Sequence, residues 1–200
     1  MKIFILENSK IQYDGNDRNN PILRGAELAV INYSEELAAR NYNVFVLNNC
    51  KKESTVNKVH YLNINKKNEF FDCDIALANA DANLFKHVKS KKNFLLSHSI
   101  QNIEKFIRKN QLFSFFKYKP IMILEGDYHY KNRSLFTSFF GKKVLKIAPD
   151  NDFINTHIDI NYIPSSNAIF TTKSDRNLDF LINSWKEIKK ENFNSKLYIN

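Results

Sequence analysis

The sequence contains few of the residues that bend, break or cross-link a chain. Its 200 residues include four Gly, four Pro, two Cys and one Trp. Two cysteines, Cys50 and Cys73, are too few for a disulfide framework or a cysteine-based zinc site, so we expect free thiols. The sequence also lacks a GxGxxG dinucleotide-binding motif, a P-loop, an HExxH pair and a nucleophile-elbow motif. Several motif-defined enzyme classes are therefore excluded.

Long apolar runs are missing as well. No stretch approaches the roughly 18 consecutive apolar residues that a membrane-spanning helix needs, which argues against an integral membrane protein. The opening MKIFILENS has too short an apolar run for a signal peptide and no small-residue cleavage site, so we expect a cytoplasmic protein. Disorder is excluded by composition, because 43% of the residues are hydrophobic and 14% are aromatic.

The charge is concentrated in the middle of the chain. Thirty Lys and Arg against 21 Asp and Glu give a formal net charge of +9, and the segment from Lys86 to Lys146 alone, with 14 basic and three acidic residues, has a balance of +11. Such a segment favours an acidic partner: nucleic acid, anionic lipid or a phosphorylated substrate. A solvated lysine-rich surface explains the same numbers. Because no nucleic-acid-binding module is recognisable, we expect no nucleic-acid partner.

Short apolar runs alternate with helical or polar stretches. The helix face formed by Ala26, Val30, Tyr33 and Leu37 predicts a helix over Ala26–Arg40, and a shorter one is expected near Asn83–Val88. Predicted strands are Lys2–Leu6, Val44–Leu47, His60–Ile64, Ile75–Ala78, Asn93–Ser97, Pro120–Leu124 and Val144–Ala148. This alternation predicts an α/β fold, with a Rossmann-like, mostly parallel sheet and helices on both faces.

The last forty residues are predicted to form a separate unit. Ala168–Thr171 and Lys196–Ile199 are strand-like, and they flank an amphipathic helix over Asp175–Lys190 that Ser174 or Asp175 could cap. A lone β-α-β unit leaves one sheet face bare, so it must dock on the first sheet or begin a longer domain. We favour the second alternative, with a first domain over 1–163 and a truncated second domain over 164–200.

Several short segments, taken in order, carry a family resemblance. They are Arg24-Gly25-Ala26-Glu27 before the first helix, Ala39–Val46 after it, Phe94–Ser99 with His98, Lys146–Phe153, and Ile169–Trp185. Together they resemble family 4-type (group 1) glycosyltransferases of GT-B fold, over the N-terminal domain and the start of the C-terminal domain. The family's Gly-Gly-x-Glu turn is present with Arg24 in place of its first Gly.

The resemblance implies a hexosyltransferase-type enzyme. It would move a sugar from a nucleotide-sugar donor to a saccharide or lipid-linked acceptor, in cell-envelope polysaccharide or glycolipid synthesis, without a metal or other cofactor. Arg24, Gly25, Glu27 and Arg176 are the implied donor- and phosphate-binding residues. A helix start offers unpaired N–H groups and a dipole that favours phosphate, and Arg suits phosphate because its contacts can be bidentate.

The acceptor side is predicted at the carboxyl end of the sheet, where open α/β proteins bind ligands. His98 follows a buried-type strand there, and we expect it to be catalytic by binding a sugar hydroxyl and steadying charge in the transition state. Asp127 and His129 follow the sixth strand and are expected on the same rim. Glu125-Gly126-Asp127 is a candidate source of an acceptor-side base.

Two further segments leave alternatives open. Asp72-Cys73-Asp74 could bind a divalent metal, as in GT-A transferases, although an Asp before a strand is commonly a turn or cap residue. Residues 103–119 are basic and rich in Phe. This composition fits either binding to an anionic membrane surface, at the inner membrane face, or a core helix and loop whose lysines face solvent. A non-catalytic Rossmann-like binding module at a membrane is the alternative function.

Overall fold

A parallel sheet organises the first part of the chain. The structure, a computed structural model, describes residues 1–66, 70–99, 102–140, 144–147, 167–170 and 177–199. The chain divides into two units, Met1–Pro149 and Asp150–Asn200. The described strands are β1 (Lys2–Leu6), β2 (Asn43–Asn48), β3 (Ser54–Val56), β4 (Val59–Asn63), β5 (Phe71–Asn79), β6 (Val88–Ser97), β7 (Ile121–Glu125), β8 (Val144–Ile147), β9 (Ala168–Phe170) and β10 (Leu197–Ile199).

Helices connect most of these strands. The described α-helices are α1 (Gly25–Ala39), α2 (Ile103–Arg108), α3 (Leu112–Tyr118), α4 (Gly126–Lys131), α5 (Leu135–Phe140) and α6 (Leu178–Glu191). Two 3₁₀ helices, Gly15–Asn19 and Ala82–His87, lie in the β1–α1 and β5–β6 connections. Among the described residues, no helix has the length and apolar character to cross a membrane.

The sheet of the first unit has eight strands in the order β3-β4-β2-β1-β5-β6-β7-β8. All neighbours pair in parallel except β3, which lies antiparallel to β4 at one edge. The α/β class and the mostly parallel sheet are therefore confirmed. Parallel strands buried on both faces are apolar throughout, which explains runs such as KIFIL in β1.

Each face of the sheet has its own core. Phe4 and Leu6 of β1 belong to a cluster that includes Phe106 of α2 and Phe115 of α3. Ile5, on the opposite face, packs in a second cluster with residues of α1, β2 and β4, namely Val30, Ile31, Val44, Val46 and Val59. Side chains alternate between the two faces along a strand, so each β1 residue has a defined side.

The structure differs from the sequence prediction in three places. Between the second and third predicted strands, where no element is predicted, lies β3, a short edge strand without an apolar pattern. β5 begins at Phe71, so Asp72 and Asp74 lie within the strand and do not precede it. Residues 103–119 form two short helices, because the chain turns at Asn110, whose φ of +52° is left-handed.

The second unit contains a parallel pair, β9 and β10, and the helix α6. Its strands agree with the predicted ones to within a residue, and its helix begins after Asn177, whose φ is +61°. The capping residues proposed from sequence, Ser174 and Asp175, lie outside the described residues. Within α6 the described side chains are all at least partly exposed.

Candidate active site

Four polar side chains line up along the carboxyl edge of the central strands. Glu7 directly follows β1, Asn79 ends β5, His98 directly follows β6 and Glu125 ends β7. The parallel registers place Leu77 beside Ile5 and Phe94, and Leu96 beside Ile123. Alternate residues along a strand share a face, and each polar residue lies two positions after one of these apolar residues. The four polar side chains therefore emerge on one side of the sheet. We call Glu7, Asn79, His98 and Glu125 the carboxyl-edge row.

Hydrogen bonds join all four members of the row. His98 Nδ1 lies 2.6 Å from Glu125 Oε1, and His98 Nε2 lies 2.6 Å from Asn79 Oδ1. Asn79 Nδ2 donates to Glu7 Oε2. His98 is therefore held at both ring nitrogens, while its side chain remains 31% exposed and that of Glu125 38% exposed. The row is buried at its Glu7 end and open at its Glu125 end.

The buried end of the row carries a perturbed carboxyl group. Burial raises the pKa of Glu7 above its ordinary value, and the nearby charge of Glu27 acts in the same direction. The hydrogen bond from Asn79 and the charge of His98 oppose this shift. A buried carboxylate beside another carboxylate needs such compensation, so Asn79 and His98 stabilise the ionised form of Glu7.

The loop before α1 is tied down by Glu27. Its buried carboxylate accepts from Ser9 Oγ at 2.5 Å and from the backbone N–H of Arg24 at 3.1 Å, which caps the start of the helix. Arg24 and Gly25 are exposed at that start, and a Cβ built on Gly25 meets no atom within 4 Å. Glu27 therefore stabilises the loop and the helix start, whereas Arg24 and Gly25 are exposed to solvent.

The open end of the row is shaped by α1 and α4. Tyr33 of α1 has a raised pKa, mainly because it is partly buried and also because the Glu125 carboxylate is near. Gly126 follows Glu125 directly with a φ of +75°, a conformation that favours glycine and lets α4 start without an intervening loop. β7 therefore runs directly into α4, and the contact with His98 orients the partly exposed Glu125 side chain.

The remaining residues predicted for the acceptor side lie on α4. Asp127 is exposed in its first turn, and His129 is partly buried, with an Nδ1 atom that has no hydrogen-bond partner among the described residues. Both ring nitrogens of His98 are occupied by Glu125 and Asn79. Arg176, the predicted donor-side cation, lies outside the described residues.

The Asp72-Cys73-Asp74 segment is far from the row. Asp74 Oδ2 accepts from the backbone N–H of Lys2 at 2.8 Å, and its Oδ1 lies 2.6 Å from Lys91 Nζ. At about 3.3 Å per residue, the seven steps from Asp72 to Asn79 along β5 span about 23 Å. Within the described part of the chain, no group of three or more His, Cys, Asp or Glu side chains could hold a metal ion.

A polar cleft with a volume of about 190 Å³ is lined by residues that follow β1, β4 and β5 and by the 3₁₀ helix Ala82–His87, and its lining contains no member of the row. The polar residues of this lining are Asn8, Asn65, Asp81, Asn83, Lys86 and His87. Such a lining offers both hydrogen-bond donors and acceptors, which suits a ligand rich in hydroxyl groups.

Two members of the row, Glu7 and Asn79, are not among the residues predicted from sequence. A signal for them is nevertheless present, because each is the first polar residue after an apolar run, FIL before Glu7 and IALA before Asn79. In a parallel sheet these positions meet at one edge.

Comparisons of the chain with protein-family models, curated proteins and solved structures find no match.

Proposed function

We propose that this chain is the acceptor-side part of a glycosyltransferase of the GT-B type. The enzyme would move a hexose from a nucleotide-sugar to a saccharide or lipid-linked acceptor in cell-envelope polysaccharide or glycolipid synthesis. The observation that supports this best is the carboxyl-edge row, with His98 held between Glu125 and Asn79 at the ligand-binding edge of the sheet. The sequence resemblance supplies the reaction class.

The chemistry of this edge supports a hydroxyl-bearing substrate. The row offers carboxylate, amide and imidazole groups, which recognise sugar hydroxyls through hydrogen bonds. Transfer would break the bond between the anomeric carbon and the diphosphate oxygen, whose electron pair stays with the nucleoside diphosphate. The acceptor oxygen would form the new bond to the anomeric carbon, and its proton would pass to the Glu125 carboxylate at the open end of the row.

The donor diphosphate would bind at a different place. Arg24 and the exposed start of α1 offer positive charge and backbone N–H groups, while the Glu27 carboxylate in the same turn is engaged by Ser9 and by the backbone N–H of Arg24. Arg176 is assigned to this role by the resemblance alone. Basic side chains and helix ends stabilise a leaving diphosphate without metal.

The direct experiment is a screen for consumption of UDP-, GDP- and ADP-sugars by the protein expressed from its full reading frame. Turnover that falls strongly in His98→Ala, with thermal unfolding near that of the unmodified protein, supports the proposal. His60→Ala is the matched control, because His60 stacks on Phe45 and bonds Thr55 away from the row. If none of the three donor classes is consumed, the proposal fails.

A second candidate function, binding to a membrane surface, is favoured by one specific surface. Phe113 is 77% exposed and Ile107 55% exposed, next to the basic residues of α2 and α3, which are Lys105, Arg108, Lys109 and Lys117. Apolar side chains among lysines fit an anionic bilayer interface. Co-sedimentation with phosphatidylglycerol vesicles but not with phosphatidylcholine vesicles would support it, and equal or absent binding would refute it.

A further inference from the structure

The donors and acceptors of the carboxyl-edge row constrain one another. An ionised carboxylate only accepts, so Asn79 Nδ2 donates to Glu7 and Asn79 Oδ1 faces His98. That oxygen also only accepts, so the bond to it requires a proton on His98 Nε2. The Glu125 carboxylate accepts from His98 Nδ1 in the same way. This pattern is complete when both ring nitrogens carry protons.

We infer that Glu7 and Asn79 are positioning residues that keep a proton on His98 Nε2, and that the Glu125 carboxylate, which faces Nδ1, is the member of the row that contacts the acceptor. A ring whose two nitrogens already donate cannot also take a proton from a substrate. Glu125 is engaged by His98 through Oε1, while its Oε2 has no hydrogen-bond partner among the described residues. The identity of the ligand rests on the proposed function, but the proton arrangement does not.

The charge of the row selects the kind of ligand. In the hydrogen-bond arrangement described above, the row contains two carboxylates and one imidazolium and so has one net negative charge, and the carboxyl group of Glu27 lies near Glu7. Tyr33 is the titratable group that faces Glu125 from α1. A carboxylate accepts hydrogen bonds from hydroxyls and repels phosphates. The row therefore fits the hydroxyl groups of a neutral saccharide and does not fit the donor diphosphate.

One other arrangement has the same number of protons. In it the proton resides on Glu7, the Asn79 amide is turned over, and His98 Nε2 accepts from Asn79 without a proton of its own. The two arrangements differ in a directly measurable property, the protonation of Nε2. Nitrogen resonances of a ¹⁵N-histidine-labelled sample distinguish protonated from unprotonated ring nitrogens, and His98→Gln identifies which of the five histidines gives the signal.

We expect both His98 ring nitrogens to resonate in the protonated range at pH 7, and an unprotonated Nε2 would overturn the inference. In Glu7→Gln the new amide can donate as well as accept, so Asn79 is free to turn over and the Nε2 resonance should move to the unprotonated range. Ser9→Ala is the control, because Ser9 bonds Glu27 outside the row. If Glu7→Gln leaves the ring unchanged, Glu7 does not position it.

The ligand contact is tested with the methyl glycosides of glucose, galactose and N-acetylglucosamine, and with inorganic pyrophosphate. At least one glycoside should shift the His98 resonances in a saturable way, and Glu125→Gln should weaken that binding about fivefold to tenfold, as expected when a charge-assisted hydrogen bond is replaced by a neutral one. The proposed contact is refuted if pyrophosphate is the only probe that shifts these resonances, or if none of the probes shifts them. If the glycosides bind but no nucleotide-sugar is consumed, only the proposed function fails.

Discussion

Two phenylalanines on α3 should respond very differently to substitution by alanine. Phe115 is fully buried, and its ring centroid lies 4.7 Å from that of Phe106 and 5.5 Å from that of Phe136. Phe113, two residues earlier on the helix, is 77% exposed. Because α3 is short, its attachment to the sheet depends on the buried side chain and not on helix propensity.

The expected magnitudes follow from burial. A buried Phe removes about 150 Å² from water, which at about 25 cal/mol per Å² is about 4 kcal/mol, within the range of about 3–5 kcal/mol measured for Phe→Ala in cores. Phe115→Ala should lower the free energy of unfolding by that amount. Phe113→Ala should change it by less than about 0.5 kcal/mol.

Urea unfolding followed by circular dichroism measures both variants under the same conditions. Vesicle co-sedimentation adds a second readout, since Phe113→Ala should weaken binding to anionic vesicles if α3 contacts a membrane. Equal losses of stability in the two variants would refute the packing of α3 described above. A stabilising effect of Phe113→Ala would be compatible with it.

Other predictions concern titration, thiols and metal. Because the pKa of Glu7 is raised in the folded protein, its protonation favours the folded state. This contribution to stability is present below about pH 4.5, the ordinary pKa of the group, and is lost as the pH rises through the higher pKa of the folded protein. The corresponding dependence of the free energy of unfolding on pH should disappear in Glu7→Gln. Cys50 and Cys73 are buried with raised pKa values, about 11 for Cys73, so both thiols should react slowly with a disulfide reagent until the protein unfolds. Chelation of divalent metals and Asp74→Asn should both leave sugar transfer unchanged, and a loss on chelation would contradict the metal-free reaction.

Much of the sheet was predictable because parallel strands are apolar on both faces. β1, β2 and β7 stand out in the sequence for that reason. β3 does not stand out, because this edge strand has no buried residue and therefore no apolar run in its sequence, STV. Its pairing with β4 is what makes it a strand. The start of β5 is hidden in the same way, since Asp72 and Asp74 lie at its solvent-exposed amino end.

The candidate site was predictable only in part. His98 is conspicuous because a histidine follows a buried strand, and its position at the sheet edge agrees with that prediction. Glu7 and Asn79 are separated from it in sequence, and only the parallel register brings them into one row. The sequence shows each of these residues, but it does not show which strands are neighbours in the sheet. The donor-side residue Arg176 stays a prediction.

The order in which the row is built has a consequence for synthesis on the ribosome. Glu7 leaves the exit tunnel first and Glu125 last of the four, and more than half of the chain lies between them. β1, β2, β4, β5 and β6 can all pair before β7 arrives, which buries Glu7 against Asn79 early. The nascent protein would then hold His98 at Nε2 alone until β7 docks and brings Glu125 to the row, so a ligand that needs Glu125 could bind only after β7 has joined the sheet.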